Sequence, residues 1–229
     1  MQTSRWHVFQ TAEALRERAV QEIAAAASRA TSERGAFHLV LAGGTTPRAV
    51  YEKLRDIQTD WSSWFIYFGD ERCVAPNNPE RNSIMALSAW LKDVTIPHSQ
   101  IFIIPAEQGS THGAETYSQI VAGVTFDLVL LGLGEDGHTA SLFPGHEWGM
   151  GPDAPAAIAV HDAPKPPPER ISLSAKCLST TRKAMFLVTG ESKRSAVSAW
   201  RRGELIPAAA IDPENGVDIL VEEACMNRP

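Results

Sequence analysis

The sequence predicts an α/β fold, with a mostly parallel, doubly wound (Rossmann-like) sheet that carries helices on both faces within a single domain. Short runs of β-branched, aromatic and other apolar residues alternate with longer stretches of helical spacing. The runs are almost continuously apolar, which is typical of strands that are buried on both faces of a parallel sheet. With 229 residues and 44% hydrophobic content, the chain is long enough to bury one continuous core.

The elements follow from these runs in chain order. The predicted strands cover residues 6–10, 37–42, 64–69, 102–104, 127–131, 156–160, 170–173, 184–189 and 218–221. The predicted helices cover residues 12–30, 81–93, 114–121 and 191–202, the last ending at Gly203. One more helix is predicted to start with Thr46 as N-cap and Pro47 as its first residue, because a hydroxyl cap followed by proline favours a helix start.

The segment 149–169 differs in composition from the rest of the chain, since it is rich in Pro, Gly and Ala. Apolar strand-like runs continue after it. We therefore interpret it as a surface excursion and not as a linker, and we expect residues 1–229 to form one domain.

Composition and charge narrow the class of partner. The net charge is −6 and no dense run of Lys and Arg is present, which argues against a nucleic-acid partner. No stretch has the length and apolarity of a membrane span or a signal peptide. Cys73, Cys177 and Cys225 are odd in number and lack metal-ligand spacing, so we expect no metal site and a reducing, cytoplasmic compartment. The sequence leaves open whether the protein is a monomer or a small homo-oligomer.

Unusual polar residues and glycines follow several of the predicted strands. In open α/β sheets, ligands bind beyond the carboxyl ends of the strands. We therefore expect these segments to converge on one site. They are residues 43–47, 70–72, 132–141 and 190–194.

The segment 43–47 joins a strand to a helix with two glycines and two hydroxyls, and its candidate ligand-binding residues are Gly43, Gly44, Thr45 and Thr46. Glycines let backbone N–H groups approach a ligand, and the start of a helix favours an anion. The alternative is a plain tight turn. The segment is not a P-loop, because the Gly-Lys-Ser/Thr ending is missing.

Basic residues near the other strand ends are candidates for binding an anion. Asp70 and Arg72 follow one strand and could bind a sugar phosphate together. Lys193 and Arg194 stand at a helix start, where cations oppose the helix dipole unless an anion is near. Arg170 begins a strand. The alternative for each is a surface ion pair or a solvated charge.

The segment 132–145 contains a formal Gly-x-Gly-x-x-Gly but does not fit the dinucleotide fingerprint. That fingerprint needs a helix at the third glycine and an acidic residue about 20 positions later, at the end of the next strand. Here His138 follows the third glycine, and the acid at that distance, Asp153, lies in the 149–169 excursion. We reject nicotinamide binding and expect no cofactor.

The same loop places Asp136 two residues before His138 at a strand end. A histidine there can act as a general base near neutral pH, and the alternative is a loop histidine without a role. The chain has no Gly-x-Ser-x-Gly elbow, so a serine hydrolase is not indicated. His138 and His146 lack the spacing of a zinc protease.

Taken together and in this order, these segments resemble the 6-phosphogluconolactonase family. Its most specific block, Gly-x-Gly-x-Asp-Gly-His-Thr-Ala-Ser-Leu-Phe-Pro-Gly, is matched throughout by residues 132–145. The turn at 42–47 departs from the family's Ser-Gly-Gly-Ser-Thr-Pro by Ala42 and Thr45, and Ala75 is inserted between a Val and a Pro. Further matches are Asp-Glu-Arg at 70–72, Asn-Ser at 82–83, Pro-x-Arg-Ile-Ser at 168–172 and Gly-x-x-Lys at 190–193.

The resemblance implies a cofactor-free hydrolase that opens the lactone of 6-phosphogluconate, the second step of the oxidative pentose phosphate pathway. His138 would activate the attacking water, and Asp136 would orient His138 or bind a sugar hydroxyl.

The resemblance also implies how the substrate is held. Arg72, Lys193 and the turn at 43–46 would bind the phosphate, with Arg194 as a further candidate. Backbone N–H groups of the turn, or Arg170, would stabilise the developing oxyanion.

The glucosamine-6-phosphate deaminase family is the nearest alternative, since it shares the fold, the Gly-Gly-x-x-Pro turn and an Asp-Gly-His. Deaminases carry tyrosine in place of Arg72 and Gly-His-Ile-Ala-Phe-Asn-Glu-Pro in place of residues 137–144. Both differences favour the lactonase. A non-catalytic sugar-phosphate sensor is a third interpretation, and the presence of His138 argues against it.

Overall fold

The computed structural model describes residues 2–226 and has the predicted α/β architecture. Its helices are α1 (Ala12–Arg34), α2 (Thr45–Leu54), α3 (Asn82–Ala89), α4 (Ser110–Ile120), α5 (Ala175–Ser179) and α6 (Arg194–Arg201). Its strands are β1 (Ser4–Phe9), β2 (Phe37–Leu41), β3 (Trp64–Phe68), β4 (Asp70–Arg72), β5 (Ile101–Phe102), β6 (Leu128–Leu131), β7 (Ala157–Val160), β8 (Arg170–Leu173), β9 (Ala184–Val188) and β10 (Val217–Glu222).

Seven strands form the main sheet in the order β1-β10-β9-β6-β2-β3-β5, and all their pairings are parallel. Every residue of the central strands β6 and β9 is buried. Burial on both faces explains why these strands are continuously apolar in sequence. The predicted parallel sheet is therefore confirmed.

The other three strands form a small antiparallel sheet in the order β4-β8-β7. The runs predicted at 156–160 and 170–173 are thus strands, but they lie outside the parallel sheet. Gly69 separates β3 from β4: its N–H donates to the Leu41 carbonyl at 2.9 Å and its own carbonyl accepts from Leu173 at 2.7 Å. The chain therefore passes directly from the main sheet into the small one.

Helix α1 packs on the main sheet through residues spaced three or four apart, including Leu15, Ala19 and Ile23, all of which are buried. The Thr11 hydroxyl accepts a hydrogen bond from the Ala14 N–H and caps the start of the helix. Gly35 ends it with φ 78°, in the left-handed region that glycine adopts easily. The predicted helix ended at residue 30, four residues before the observed end at Arg34.

Helix α2 shows that the prediction of Thr46 as N-cap was wrong. The cap is Gly44, with φ 106°, and the helix begins at Thr45. The Thr46 hydroxyl instead lies 2.6 Å from the Thr189 hydroxyl at the end of β9. Pro47 is the third helical residue, where a missing N–H breaks no hydrogen bond within the helix.

The helix predicted at 191–202 is two elements, a 3₁₀ turn over Glu191–Lys193 followed by α6. Gly203 follows its end with φ 76°, as expected for a helix stop. Over residues 2–226, no helix has the length and apolarity that crossing a membrane requires.

Candidate active site

A cavity of about 390 Å³ lies at the carboxyl end of the parallel sheet, where the small sheet adjoins it. It is located where ligands of open α/β sheets bind. The predicted site residues that line it are Gly43, Gly44, Asp70, Arg72, His138, Arg170 and Lys193. The four separate segments therefore converge.

The remaining predicted residues lie outside the cavity wall. Thr45 and Thr46 form the first turn of α2, and Thr46 contacts Thr189. The Arg194 guanidinium donates to the Ala224 carbonyl at 2.9 Å and to Glu191 at 3.2 Å. It is thus directed at the C-terminal segment and not at the cavity.

Asp136 lies behind His138 and fixes it. The Asp136 carboxylate lies 2.5 Å from His138 Nδ1 and accepts the His138 backbone N–H at 3.2 Å. A Cβ at Gly134 would lie 2.0 Å from His138 Nδ1, so only glycine leaves room for the ring. The ring also packs on Phe143, with 4.7 Å between centroids. Asp136, Gly134 and Phe143 together define the orientation of the imidazole.

The protonation of this pair follows from its surroundings. Burial lowers the pKa of His138 below its usual value, against the opposing charge and hydrogen bond of Asp136. Burial raises the pKa of Asp136, but its contacts with His138 outweigh that effect and hold it below the usual range. An ionised carboxylate only accepts hydrogen bonds, so Nδ1 carries the proton and Nε2 keeps its lone pair. The pair can therefore supply a base near neutral pH.

Asp70 is the one carboxylate among the lining residues, and both of its oxygens are occupied. Oδ1 accepts from Asn82 Nδ2 at 3.0 Å and Oδ2 accepts from the Ser141 hydroxyl at 2.6 Å. The Asn82 side chain leaves no room for a Cβ at Gly43, which would lie 2.0 Å from its Oδ1. Asp70 thus ties the end of β3 to α3 and to the 132–145 loop.

Asn82 lines the cavity and was absent from the residues predicted for the site. The signal available in the sequence was the Asn-Ser pair at 82–83. Glu71, the residue after Asp70, is fully buried. Its carboxylate accepts from the backbone N–H groups of Asn82 at 2.7 Å and Ser83 at 2.9 Å. Glu71 therefore holds the start of α3, and with it the Asn82 side chain.

We expect Asp70→Asn to be nearly neutral for stability and Asp70→Ala to be destabilising. The asparagine can still accept from Asn82 and can donate to the Ser141 hydroxyl, so both contacts persist. Alanine leaves the Ser141 hydroxyl without an acceptor and Asn82 Nδ2 with only the backbone carbonyl of residue 70, and each lost contact costs about 1–3 kcal/mol. Urea unfolding of the two variants measures the difference. Equal destabilisation by both would show that the Asp70 charge, and not its hydrogen bonds, holds the site together.

Arg72 and Arg170 face each other across the β4–β8 pairing, and both line the cavity. Arg72 donates through Nη1 to the Glu80 carbonyl, while its buried Nε has no partner within residues 2–226. Arg170 donates to the carbonyls of Pro167 at 3.1 Å and Lys165 at 2.9 Å. Its side chain therefore holds part of the 149–169 segment against the cavity.

Two lysines complete the wall, Lys193 after β9 and Lys165 in the 149–169 segment. The Lys193 turn is fixed by Glu222, which accepts the Gly190 N–H at 2.8 Å. Arg72, Arg170, Lys165 and Lys193 set four positive charges against the single carboxylate among the lining residues, although the chain as a whole carries −6. The cavity is therefore suited to an anion.

Comparison of the chain with known proteins matches its sequence and its fold to one family. Residues 10–220 match the family described as glucosamine-6-phosphate isomerases/6-phosphogluconolactonase. A 6-phosphogluconolactonase of Synechocystis sp. is 35% identical over 226 residues, covering 90% of both chains. One of Mycobacterium bovis is 33% identical over 241 residues, covering 97% of both. The crystal structure of 6-phosphogluconolactonase from Thermotoga maritima has the same fold, with a TM-score of 0.88, 23% identity and coverage of 96% and 100%.

Proposed function

Because the chain belongs to the family of glucosamine-6-phosphate isomerases and 6-phosphogluconolactonases, we propose that it is a hydrolase that opens 6-phospho-D-glucono-1,5-lactone to 6-phosphogluconate. One observation carries the proposal. His138, with its tautomer set by Asp136, faces a cavity in which four cations outnumber one carboxylate. This arrangement provides a base for water and a binding site for a phosphorylated ester.

Arg72, Lys193 and the turn at Gly43 and Gly44 bind the substrate phosphate. The phosphate carries a charge of about −1.5 to −2 at pH 7. Arginine contacts it through two parallel N–H groups, and lysine acts as a compact positive charge. The backbone N–H groups at the start of α2 add donors and the positive end of the helix dipole.

Hydrolysis then needs one base and one water. His138 Nε2 removes a proton from the water as its oxygen attacks the lactone carbonyl carbon, and the carbonyl electrons move onto the oxygen. When the resulting oxyanion collapses, the bond from this carbon to the ring oxygen breaks, and the ring oxygen takes the proton back from His138. The product acid releases its own proton to solvent. Asp136 stabilises the imidazolium between these steps.

The occupied carboxylate of Asp70 favours the lactonase over the deaminase. A deaminase must remove a proton beside a carbonyl and expel ammonia, which requires a free carboxylate base in addition to the histidine. Asp70 is 6% exposed, and its two oxygens accept from Asn82 and Ser141. Arg72 also occupies the position of the deaminase tyrosine. These features support lactone hydrolysis.

The experiment that tests the function compares two substrates at matched enzyme concentration. We expect rapid acid release from fresh 6-phosphogluconolactone, corrected for spontaneous hydrolysis, and no ammonia from glucosamine 6-phosphate. We also expect Asp70→Asn to retain far more lactonase activity than His138→Ala, because Asp70 positions other groups and does not transfer protons. Ammonia above background, or an Asp70→Asn enzyme as inactive as the His138 variant, would support the deaminase mechanism.

The three cysteines support a proposal for the cellular compartment of the protein. Cys73, Cys177 and Cys225 are free thiols. Burial raises the pKa of each to about 11, which keeps them protonated and unreactive. Free thiols of this kind suit a reducing compartment, and we place the enzyme in the cytoplasm with a small sugar phosphate as its partner.

A further inference from the structure

Lys165 is a cation of the cavity wall to which the mechanism above gives no role. It lies in the 149–169 segment and lines the cavity together with His138. In the part of the chain that the structure describes, its ammonium group makes no hydrogen bond and no ion pair, as is also true of Lys193, whereas Arg72 and Arg170 donate to backbone carbonyls. An unpaired ammonium at a cavity wall is available to a ligand.

The backbone at Lys165 is fixed by Arg170. This guanidinium donates to the carbonyls of Lys165 at 2.9 Å, Pro166 at 3.3 Å and Pro167 at 3.1 Å. It is itself 5% exposed and lies over the Phe143 ring at 5.5 Å. Arg170 therefore serves as an anchor for the segment, with Nε and Nη2 committed to it.

The same contacts relate Lys165 to the proposed base. The Phe143 ring contacts both residues, with 5.5 Å from its centroid to Arg170 Cζ and 4.7 Å to the His138 ring centroid. Three charged groups act on the His138 ring: Asp136 from its own loop, Lys165 from the 149–169 segment and Asp70 from the end of β3. Burial lowers the pKa of His138 and the Lys165 charge lowers it further, against the two carboxylates. Lys165 thus belongs to the side of the cavity where water is activated.

The reaction creates two demands for positive charge. The first is the substrate phosphate, which Arg72, Lys193 and the turn at Gly43 and Gly44 bind. The second demand arises on the lactone carbonyl oxygen as water attacks beside His138. Preformed positive charge at that point is among the largest contributions an active site makes to rate.

We propose that Lys165 is a catalytic residue that stabilises this oxyanion, and that Arg170 is a positioning residue that acts through Lys165. The inference rests on the proposed lactonase function and adds a residue to it. It reassigns the oxyanion role that the family resemblance implied for backbone N–H groups of the turn or for Arg170. The competing role for Lys165 is a contact with the substrate phosphate, and the two roles predict different kinetics.

The test uses Lys165→Met, Lys165→Arg and the control Lys92→Met, which changes an exposed lysine outside the cavity. Each variant is assayed with 6-phosphogluconolactone and with unphosphorylated glucono-1,5-lactone. We expect Lys165→Met to lower kcat about 10²-fold for both substrates with KM little changed. Lys165→Arg should restore part of the rate because it keeps the charge, and Lys92→Met should behave as wild type.

A pH profile provides a readout that a purely structural role would not move. Loss of the positive charge raises the His138 pKa, so activity in Lys165→Met should begin its decline at higher pH than in wild type. A defect confined to KM for the phosphorylated lactone would assign Lys165 to the phosphate and overturn the proposal, as would a normal kcat. If wild type hydrolyses the lactone and His138→Ala does not, such a result rejects the Lys165 role alone. If wild type is inactive, the proposed function itself fails.

Discussion

Replacing His138 by alanine is expected to lower kcat for 6-phosphogluconolactone by roughly 10²–10⁴-fold. Asp136 holds Nδ1 at 2.5 Å, which leaves Nε2 as the nitrogen that accepts a proton from water. No other histidine lines the cavity among the described residues, so no neighbour can replace it. Steady-state rates corrected for spontaneous hydrolysis measure the effect.

Binding of the product separates loss of the base from loss of the fold. The contacts assigned to the phosphate do not involve His138, so 6-phosphogluconate should bind the variant almost as it binds wild type in calorimetry. His112→Ala is a matched control, because the His112 side chain is 69% exposed on α4. A His138 variant with near-normal kcat would remove the residue from the mechanism.

Replacing Lys193 or Arg72 by alanine is expected to act mainly on substrate binding. A charge-assisted contact is worth about 1.5–3 kcal/mol, which corresponds to roughly a ten- to hundredfold rise in KM for the phosphorylated lactone. Lys193 gives the cleaner test, because Arg72 also donates to the Glu80 carbonyl and supports the local chain. Parallel KM measurements on phosphorylated and unphosphorylated lactone isolate the phosphate contact.

The unphosphorylated lactone should be a poor substrate that is almost insensitive to both changes. Arg201→Ala, at an exposed position at the end of α6, serves as the control for removing a positive charge. If Lys193→Ala impairs both lactones equally, the phosphate assignment is wrong.

The main sheet could be predicted from the sequence because strands that are buried on both faces consist almost entirely of apolar residues. Strands β6 and β9 are wholly buried and wholly apolar. Strand β4 was not predicted, because Asp70, Glu71 and Arg72 are polar and form no apolar run. What makes them a strand is pairing with β8, which lies far away in sequence. The backbone N–H groups of Asn82 and Ser83, 11 and 12 positions after Glu71, also donate to its carboxylate.

The start of α2 could not be placed from local preference alone. Thr46 followed by Pro47 matches a favoured cap, yet Gly44 adopts a positive φ and starts the helix earlier. The contact between Thr46 and Thr189 joins residues 143 positions apart. This contact with Thr189 outweighs the weak local preference of Thr46 for the N-cap position.

The site was predicted where residues follow parallel strands, because the carboxyl ends of those strands meet at one edge. Lys193 and Arg194 illustrate the limit of this rule. Lys193 ends the 3₁₀ turn and lines the cavity, whereas Arg194 begins α6 and donates to Glu191 and the Ala224 carbonyl. Lys165 follows no strand of the parallel sheet. Its place depends on carbonyls held by Arg170, a contact that no periodicity predicts.

In the proposed mechanism, neutral His138, fixed by Asp136, is the base that opens the lactone. The direct test is the pH dependence of kcat/KM for wild type and His138→Asn between about pH 5 and 8. Because burial depresses the His138 pKa, wild-type activity should persist below the ordinary histidine value of about 6.5 and fall only as the pH drops through the lower pKa. The substrate phosphate, with a second pKa near 6, titrates alike in both enzymes.

The ratio of wild-type to variant activity therefore isolates the ionisation of His138. We predict that this ratio is high at neutral pH and declines as the pH is lowered, with one ionisation below about 6.5. A ratio that stays constant across the range would remove His138 as the base, because the group that titrates in wild type would then not be His138.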